Sequence, residues 1–436
     1  MNLKKTDRIK KIQRVALFLL IIIGIVNYMD RATLSIANHA ISEELGLTKI
    51  HMGYLLSAFS LTYALLQLPV GAFLDRVGSK ILLGLGLLIW SVAQFSGGVV
   101  HSFKALFFTR LILGAGEAPQ FPAAAKSISE WYNIRERGRA MGTFNSSAAM
   151  GTAIAPPILT VLMLTFGWRW MFIIMGALGV ILSLVWLFVY RNRGQVELTA
   201  EETAYLDDGS VMGNHEKMTT AEWFGLFKSS STWGILLGFM GIVYMIWLFL
   251  TWLPAYLSET YHISLANTGW LVSIPYIFAI LGSISAGFIS DYFVSRGYDM
   301  IKSRKSLVSL GLIFAGIFII PAAYASTVTE AIIFISIAQF SVQLASGSSW
   351  ILVSSIIPSN RTASLGGIQN FGGYIAGSIA PILTGYLAQS SGSFSTALIV
   401  AAVIAIASAI AHFTLVRKPI NAQNTTPAPS ESINHH

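Results

Sequence analysis

Apolar runs of about 20 residues follow one another along nearly the whole chain, each long enough to cross a hydrocarbon layer roughly 30 Å thick as a helix. Hydrocarbon offers the backbone no water, so such a run must satisfy its own N–H and C=O groups, which a helix does within one segment. About twelve runs can be placed, at 15–38, 51–74, 81–101, 103–127, 138–163, 167–190, 232–258, 267–290, 305–324, 328–355, 362–389 and 394–416. With 54% hydrophobic and only 11% charged residues, the composition excludes an ordinary soluble domain. The chain reads as an all-α integral membrane protein with a lipid bilayer as its solvent.

A net charge of +8 would suggest nucleic acid for a soluble protein, but here the placement of the charges matters more than their sum. Lysine and arginine gather before span 1 (Lys4, Lys5, Arg8, Lys10, Lys11, Arg14), after span 2 (Arg76, Lys80) and after span 4 (Arg135, Arg137, Arg139). They recur after spans 6, 8, 10 and 12, while the alternate loops hold almost none. The positive-inside rule then puts both termini in the cytoplasm, which requires an even number of crossings. The basic start and first apolar run have no convincing cleavage site and read as an uncleaved span, not a removed leader. There is no cysteine, hence neither a disulfide framework nor a thiolate metal site.

The long hydrophilic interval 191–231 divides the chain into a six-span bundle at 15–190 and another at 232–416, flanked by a tail at 1–14 and a polar, disordered tail at 417–436. The two sets echo each other. "GAFLDRVGSK" after span 2 returns as "GFISDYFVSRG" after span 8, making Asp75 and Asp291 equivalent, and "GTAIAPPILT" in span 5 returns as "GSIAPILTGY" in span 11. A repeat at about 220 residues is an internal duplication. Two pseudo-symmetric halves around a midplane site are the plan of an alternating-access carrier.

Charge inside the spans is rare and one-sided. Span 1 carries "NYMDRATL", with Asp30 beside Arg31, and span 4 carries "TRLILGAGEAPQFPA", with Arg110 and Glu117 two helical turns apart on one face and Gly114 between them. Each such charge at a bilayer centre costs about 2.5–3.5 kcal/mol on an insertion scale, so it needs a function or a partner. A purely structural reading has Arg110 and Glu117 neutralising Asp30 and Arg31 between helices. Spans 7 to 12, however, have no acidic or basic residue away from their ends; they offer Gln339, Gln343, Ser349, Trp350, Gln369, Asn370 and the aromatics Trp252, Tyr256 and Tyr276. This asymmetry suggests that the first half handles an anion and a proton, while the second hydrogen-bonds and stacks against a neutral part. Asn27, Arg31, Ser35 and Asn38 form one polar stripe, taken to face a cavity, with Tyr28 within reach of Arg31. Pro119 and Pro122 should break span 4 and free carbonyls, tolerable only against protein or water. Asn370 lies on a glycine-rich face and reads equally as a ligand contact or a bridge between helices.

"GAFLDRVGSK", with Gly71, Asp75 and Arg76 at a helix junction, resembles the loop signature of the major facilitator superfamily, and the twelve spans and degenerate second copy at Asp291 extend that resemblance over the whole chain. "NYMDRATLSIA", "RLILGAGEAPQFPA" and "WLFLTWLPAYL" look like the anion:cation symporter family within it. The resemblance implies twelve transmembrane helices in a bacterial inner membrane and proton-coupled uptake of a sugar acid such as a galactonate, glucarate or hexuronate. It implies no cofactor beyond protons, no enzymatic activity, no nucleic-acid partner and a monomer. Carried residue by residue, it makes Asp30 and Glu117 the proton-coupling carboxylates and Arg31 the holder of the substrate carboxylate. Tyr28, Tyr63, Arg110 and Asn370 belong to the substrate site by the same resemblance, and Gly71, Asp75, Arg76 and Asp291 form the gating loops; in the mechanism these residues suggest, Ser349 would add a hydroxyl contact and Trp350 a face beneath the carbon chain. Sugar-acid relatives often have a glutamine in span 5, where this chain reads Ala148 and Ala149. That departure leaves the particular sugar acid open, and another organic anion or an outward-running carrier stays a possible reading. The sequence shows no metal-ligand cluster, phosphate-cradling glycine loop or nucleophile signature.

Overall fold

The computed structural model describes residues 5–208, 220–357 and 361–420, and within these the surroundings of residues 68, 71, 72, 75, 134, 220, 221 and 363, Gly71 and Asp75 among them, lie outside the described set. The described residues form fourteen α-helices: α1 (Asp7–Ile36), α2 (Asn38–Leu45), α3 (Lys49–Gly97), α4 (Phe103–Glu117), α5 (Gln120–Trp131), α6 (Ile134–Val189), α7 (Ala200–Asp207), α8 (Thr220–Gly225), α9 (Ser230–Tyr261), α10 (Leu265–Ser295), α11 (Met300–Ala323), α12 (Val328–Ile356), α13 (Thr362–Ser391) and α14 (Phe394–Leu415). Among them nine helical stretches are long and apolar enough to cross a membrane.

The difference from about twelve spans has a geometric cause. At 1.5 Å per residue, the 49 residues of α3 and the 56 of α6 would reach about 74 and 84 Å, far more than one crossing. Both bend back at a single glycine with positive φ, Gly78 (φ 77°) and Gly167 (φ 83°), so each is two helices joined at that residue. At Gly78, the φ and a Cβ that would stand 2.6 Å from Asn192 Nδ2 both demand glycine. Conversely, α4 and α5 are each too short to cross alone. They are joined by Ala118 and Pro119, both with helical φ and ψ, so the chain keeps its direction through the proline break. The carbonyl of Ala118, left without a helical donor because Pro122 has no N–H, accepts instead from Gln67 Nε2 at 3.1 Å.

The helices pack as α1 on α6 and α3 on α4 and α6 in the first half, and as α9 on α13 and α14, α10 on α12, and α11 on α12 and α14 in the second. Between halves, α3 meets α13, α6 meets α10, and α1 meets α9. The first two of these contacts exchange under the sequence duplication, the segment before Asp75 corresponding to α10 and the first part of α6 to α13.

Three segments expected to lie outside the bundles are more ordered than the sequence suggests. The tail 1–14 is helical from Asp7, capped by Thr6 and tied down by Gln13, whose Nε2 donates to the Trp131 carbonyl at 2.5 Å and whose own carbonyl accepts from Tyr132 Oη at 2.9 Å. Within the linker 191–231, α7 starts at a Thr199/Glu202 capping box and docks on the first half, with Tyr205 and Leu206 buried. The tail from 417 is held as far as residue 420: Ile420 is buried, its N–H donates to the Ile356 carbonyl at 2.8 Å, and Ser231 Oγ donates to the Lys418 carbonyl at 2.8 Å. Polar composition concealed this because a few backbone bonds and one apolar residue suffice to hold so short a strap.

Candidate functional site

Glu117 is the last residue of α4, at the proline break, and the helix packs there against Asp30 and Arg31 of α1. A Cβ on Gly114 would collide with the Phe59 carbonyl, so glycine lets α4 approach α3 closely, and that approach brings Phe59 to Arg31. Arg31 Nε donates to Glu117 Oε2 at 2.8 Å, with the two side chains 3% and 0% exposed. The rings of Tyr28, Phe59 and Tyr63 surround the guanidinium at 4.7, 4.8 and 5.1 Å. Each such ring contributes on the order of 0.5–2 kcal/mol. Arg31 Nη2 and Glu117 Oε1 have no partner, so the pair shares one hydrogen bond where its groups could form two.

The second pair is held differently. Asp30 is fully buried beside the Trp90 indole, and it feels the charges of Glu117 and Arg110. Arg110 Nη2 donates to Gln94 Oε1 at 3.0 Å, Gln94 Nε2 donates to Thr33 Oγ1 at 3.0 Å, and Thr33 Oγ1 donates to the Asp30 carbonyl at 2.7 Å. The Arg110 guanidinium also lies 4.9 Å from the Phe172 ring. Arg110 is thus built into the packing of the first half, whereas Arg31 bonds the Glu117 carboxylate and rests on aromatic faces.

A cavity of about 570 Å³ opens between the halves, within the size range of small-molecule sites. The first half contributes Tyr28, Phe121, Asn145, Ala148, Ala149 and Thr152, and the second contributes Tyr276, Ser283, Gln339, Gln343, Ser346 and Trp350. Tyr28 separates the cavity from Arg31. On the face opposite the chain termini the halves are joined. There Lys49 Nζ meets Glu259 Oε2 at 2.6 Å, the Ile50 N–H donates to Gln389 Oε1 at 3.1 Å, Ser35 Oγ donates to the Thr251 carbonyl at 2.8 Å, and Ser57 Oγ bonds the Ser378 carbonyl. Deeper, Tyr63 packs on Tyr374 at 4.5 Å and Phe59 on Trp247 at 5.7 Å. Among the described residues no hydrogen bond or ion pair joins the halves at the terminus face.

The residues expected at the site distribute unevenly. Tyr28 and the 45%-exposed Trp350 line the cavity, while Arg31 and Glu117 lie behind Tyr28. Tyr63 is buried in the aromatic joint, and Ser349 Oγ is buried and donates to Gln369 Oε1 at 2.8 Å. Asn370 is half-buried and outside the cavity wall. The polar stripe of α1 is enclosed between helices, not open to the cavity: Asn27 is fully buried, Ser35 bonds α9, and Asn38 belongs to α2 after the helix has ended. Trp252 and Tyr256 donate to the carbonyls of Pro381 and Ala322 within their own half. Arg76 and Asp291 are exposed at the terminus face, and the gating-loop side chains of Gly71 and Asp75 lie outside the described residues. Reading the sequence missed Gln94, whose signal was a lone amide deep in an apolar span, and Tyr374, one helical turn beyond Asn370. No cluster of three potential metal ligands occurs among the described residues.

A family model described as Major Facilitator Superfamily matches residues 20–381. The chain belongs to the major facilitator superfamily. Its curated relatives include the "Probable L-galactonate transporter" of Escherichia coli (strain K12), 44% identical over 96% of this chain and 92% of that protein. They also include the "D-galactonate transporter" of Escherichia coli O6:H1, 33% identical over 95% and 97%. A solved structure of a bacterial homolog to the human lysosomal transporter Spinster, inward-facing and unoccupied, superposes with a TM-score of 0.81 at 18% identity, covering 98% of this chain and all of the other, and shows the fold. This member of the superfamily is a multi-pass membrane transporter and not an enzyme.

Proposed function

We propose that this transporter takes up a sugar acid, drawn from the aldonates, aldarates and hexuronates, together with protons across a bacterial inner membrane, with both termini cytoplasmic. The observation that carries this reading is the Arg31–Glu117 pair: a buried cation whose single anionic partner is a side chain able to take up a proton. While Glu117 is ionised, it occupies Arg31. Once Glu117 is protonated, the guanidinium is left without a counter-charge in a dry, aromatic surround, and a substrate carboxylate entering past Tyr28 takes that place. Proton and anion therefore favour each other's binding, and the coupling is reciprocal. Asp30, the other buried carboxylate, lies beside Arg110 and exchanges that proton with Glu117, so the cycle carries a proton only while Glu117 can bind one. The halves then rock, undoing the joint at Tyr63–Tyr374 and Lys49–Glu259 and closing the terminus face, so the same cavity meets the other side. Uptake of L-galactonate by proteoliposomes tests the reading: wild-type protein should accumulate it and Arg31→Gln should not. Equal uptake by the variant, or no transport of any sugar acid, would overturn the proposal.

A further inference from the structure

We infer that the cavity selects a substrate with one carboxylate and an uncharged polyol tail, and that its neutral wall turns away dicarboxylates of the same carbon skeleton. This rests on the sugar-acid reading above and narrows it.

Three facing helices each present polar atoms seven residues apart: Asn145 and Thr152 on α6, Tyr276 and Ser283 on α10, and Gln339 and Ser346 on α12, with Gln343 between the last two. Seven residues rise about 10 Å and return to nearly the same face, so the three rows run side by side from the closed end toward the mouth. An extended six-carbon chain fits along them. Gln339 adds an independent sign of a ligand: it lines the cavity, is 2% exposed, and its Oε1 has no hydrogen-bond partner. A buried acceptor left unpaired at a cavity wall is satisfied when a hydroxyl arrives.

Charge is missing along the same rows. Among the described residues lining the cavity none is acidic or basic, and the cation reached from its floor is Arg31, behind Tyr28. Protonation of both Asp30 and Glu117 would balance a dianion in number, but not in place. Arg110 is 2% exposed, bonded to Gln94 and stacked on Phe172, away from the cavity wall. With one carboxylate at Arg31, a second at the far end of the chain would lie among amides, hydroxyls and Trp350. While the cavity is open, water can solvate it; when the halves close, it becomes an unpaired buried charge, costly enough to stop the cycle. Discrimination should therefore appear in transport more strongly than in binding to the open state.

L-galactonate and galactarate differ at C6 alone, a hydroxymethyl in the first and a carboxylate in the second. Counterflow of each into proteoliposomes loaded with the same unlabelled compound, without a proton gradient, tests the inference directly. The expected result is L-galactonate exchange at least about 100-fold faster than galactarate exchange at equal concentration, two tenfold steps of about 1.4 kcal/mol each. Rates within about threefold of each other would overturn the inference and leave the sugar-acid reading standing; no exchange of any sugar acid would overturn both. A second arm uses Ser346→Arg, which sets a cation at the far end of the rows. It should narrow the ratio at least about tenfold, and an unchanged ratio with intact L-galactonate exchange would refute the missing cation as its cause.

Discussion

Glu117→Gln removes the charge of one member of a pair whose side chains are 3% and 0% exposed, and nearly preserves its volume. Deleting one partner of a buried ion pair costs about 3–5 kcal/mol, because the other charge is stranded. The glutamine oxygen can still accept the Arg31 Nε hydrogen bond, and a bond to a charged group returns about 1.5–3 kcal/mol. The unliganded variant should therefore be about 1–3 kcal/mol less stable and melt at a lower temperature in detergent. Its behaviour toward ligand runs the other way. In the wild type a substrate carboxylate must replace Glu117 at Arg31, so affinity rises as protons are added; in the variant nothing has to be displaced. L-galactonate should bind the variant about 5–150-fold more tightly than the wild type at neutral pH, the equivalent of the same 1–3 kcal/mol. Ligand-induced stabilisation, followed by thermal unfolding across a pH series, should be steep in the wild type and flat in the variant. Weaker binding by Glu117→Gln, or a pH dependence that survives the substitution, would refute the competition for Arg31.

Tyr374→Ala removes a cross-half ring contact at 4.5 Å from Tyr63, worth about 0.5–1.5 kcal/mol, and should shift the balance roughly 2–10-fold toward opening on the face opposite the termini. Because the chain has no cysteine, labelling of Ser57→Cys by an impermeant maleimide reads this out, and an unchanged rate counts against the joint. Glu202, outside the membrane, has its carboxyl held below the usual range by the Thr199 backbone N–H, with help from Thr6 and Arg8. A folded value lying below the unfolded one gives stability that is present above the ordinary carboxylate range and lost as pH falls through the lowered value. Protection of the α7 amides against hydrogen exchange, corrected for the intrinsic pH dependence of exchange, should therefore fall on acidification, and Glu202→Gln should lower it at neutral pH and remove the acid step. Gly78→Ala should cost about 1–3 kcal/mol, from a φ of 77° and the crowding of Asn192. Gly138→Ala, in α6 with nothing within 4 Å of the new Cβ, should be neutral or stabilising in the same melting assay.

The transmembrane helices and the sparse charges inside them were legible because hydrocarbon length and the cost of burying charge leave marks in composition and spacing. The pairing of those charges was not. Periodicity puts Arg110 and Glu117 on one face of span 4, yet Glu117 turns to Arg31 and Arg110 to Gln94, because the packing of α4 against α1 and α3 decides which neighbour each meets. How the spans join was obscured for a similar reason. Gly78 and Gly167 each join two helices with no loop between them, and two helical residues carry α4 into α5 across a proline. The closed end involves Ser57, Gln389 and Tyr374, residues distant in sequence and individually unremarkable, which only the assembly of the two halves brings together.

Simultaneous recording of substrate entry and internal pH, in proteoliposomes without an imposed gradient, tests proton-coupled transport most directly. Addition of L-galactonate outside wild-type vesicles should acidify the lumen as labelled substrate enters, and Glu117→Gln should exchange substrate with no pH change. Entry of L-galactonate into wild-type vesicles with a constant internal pH would contradict the account.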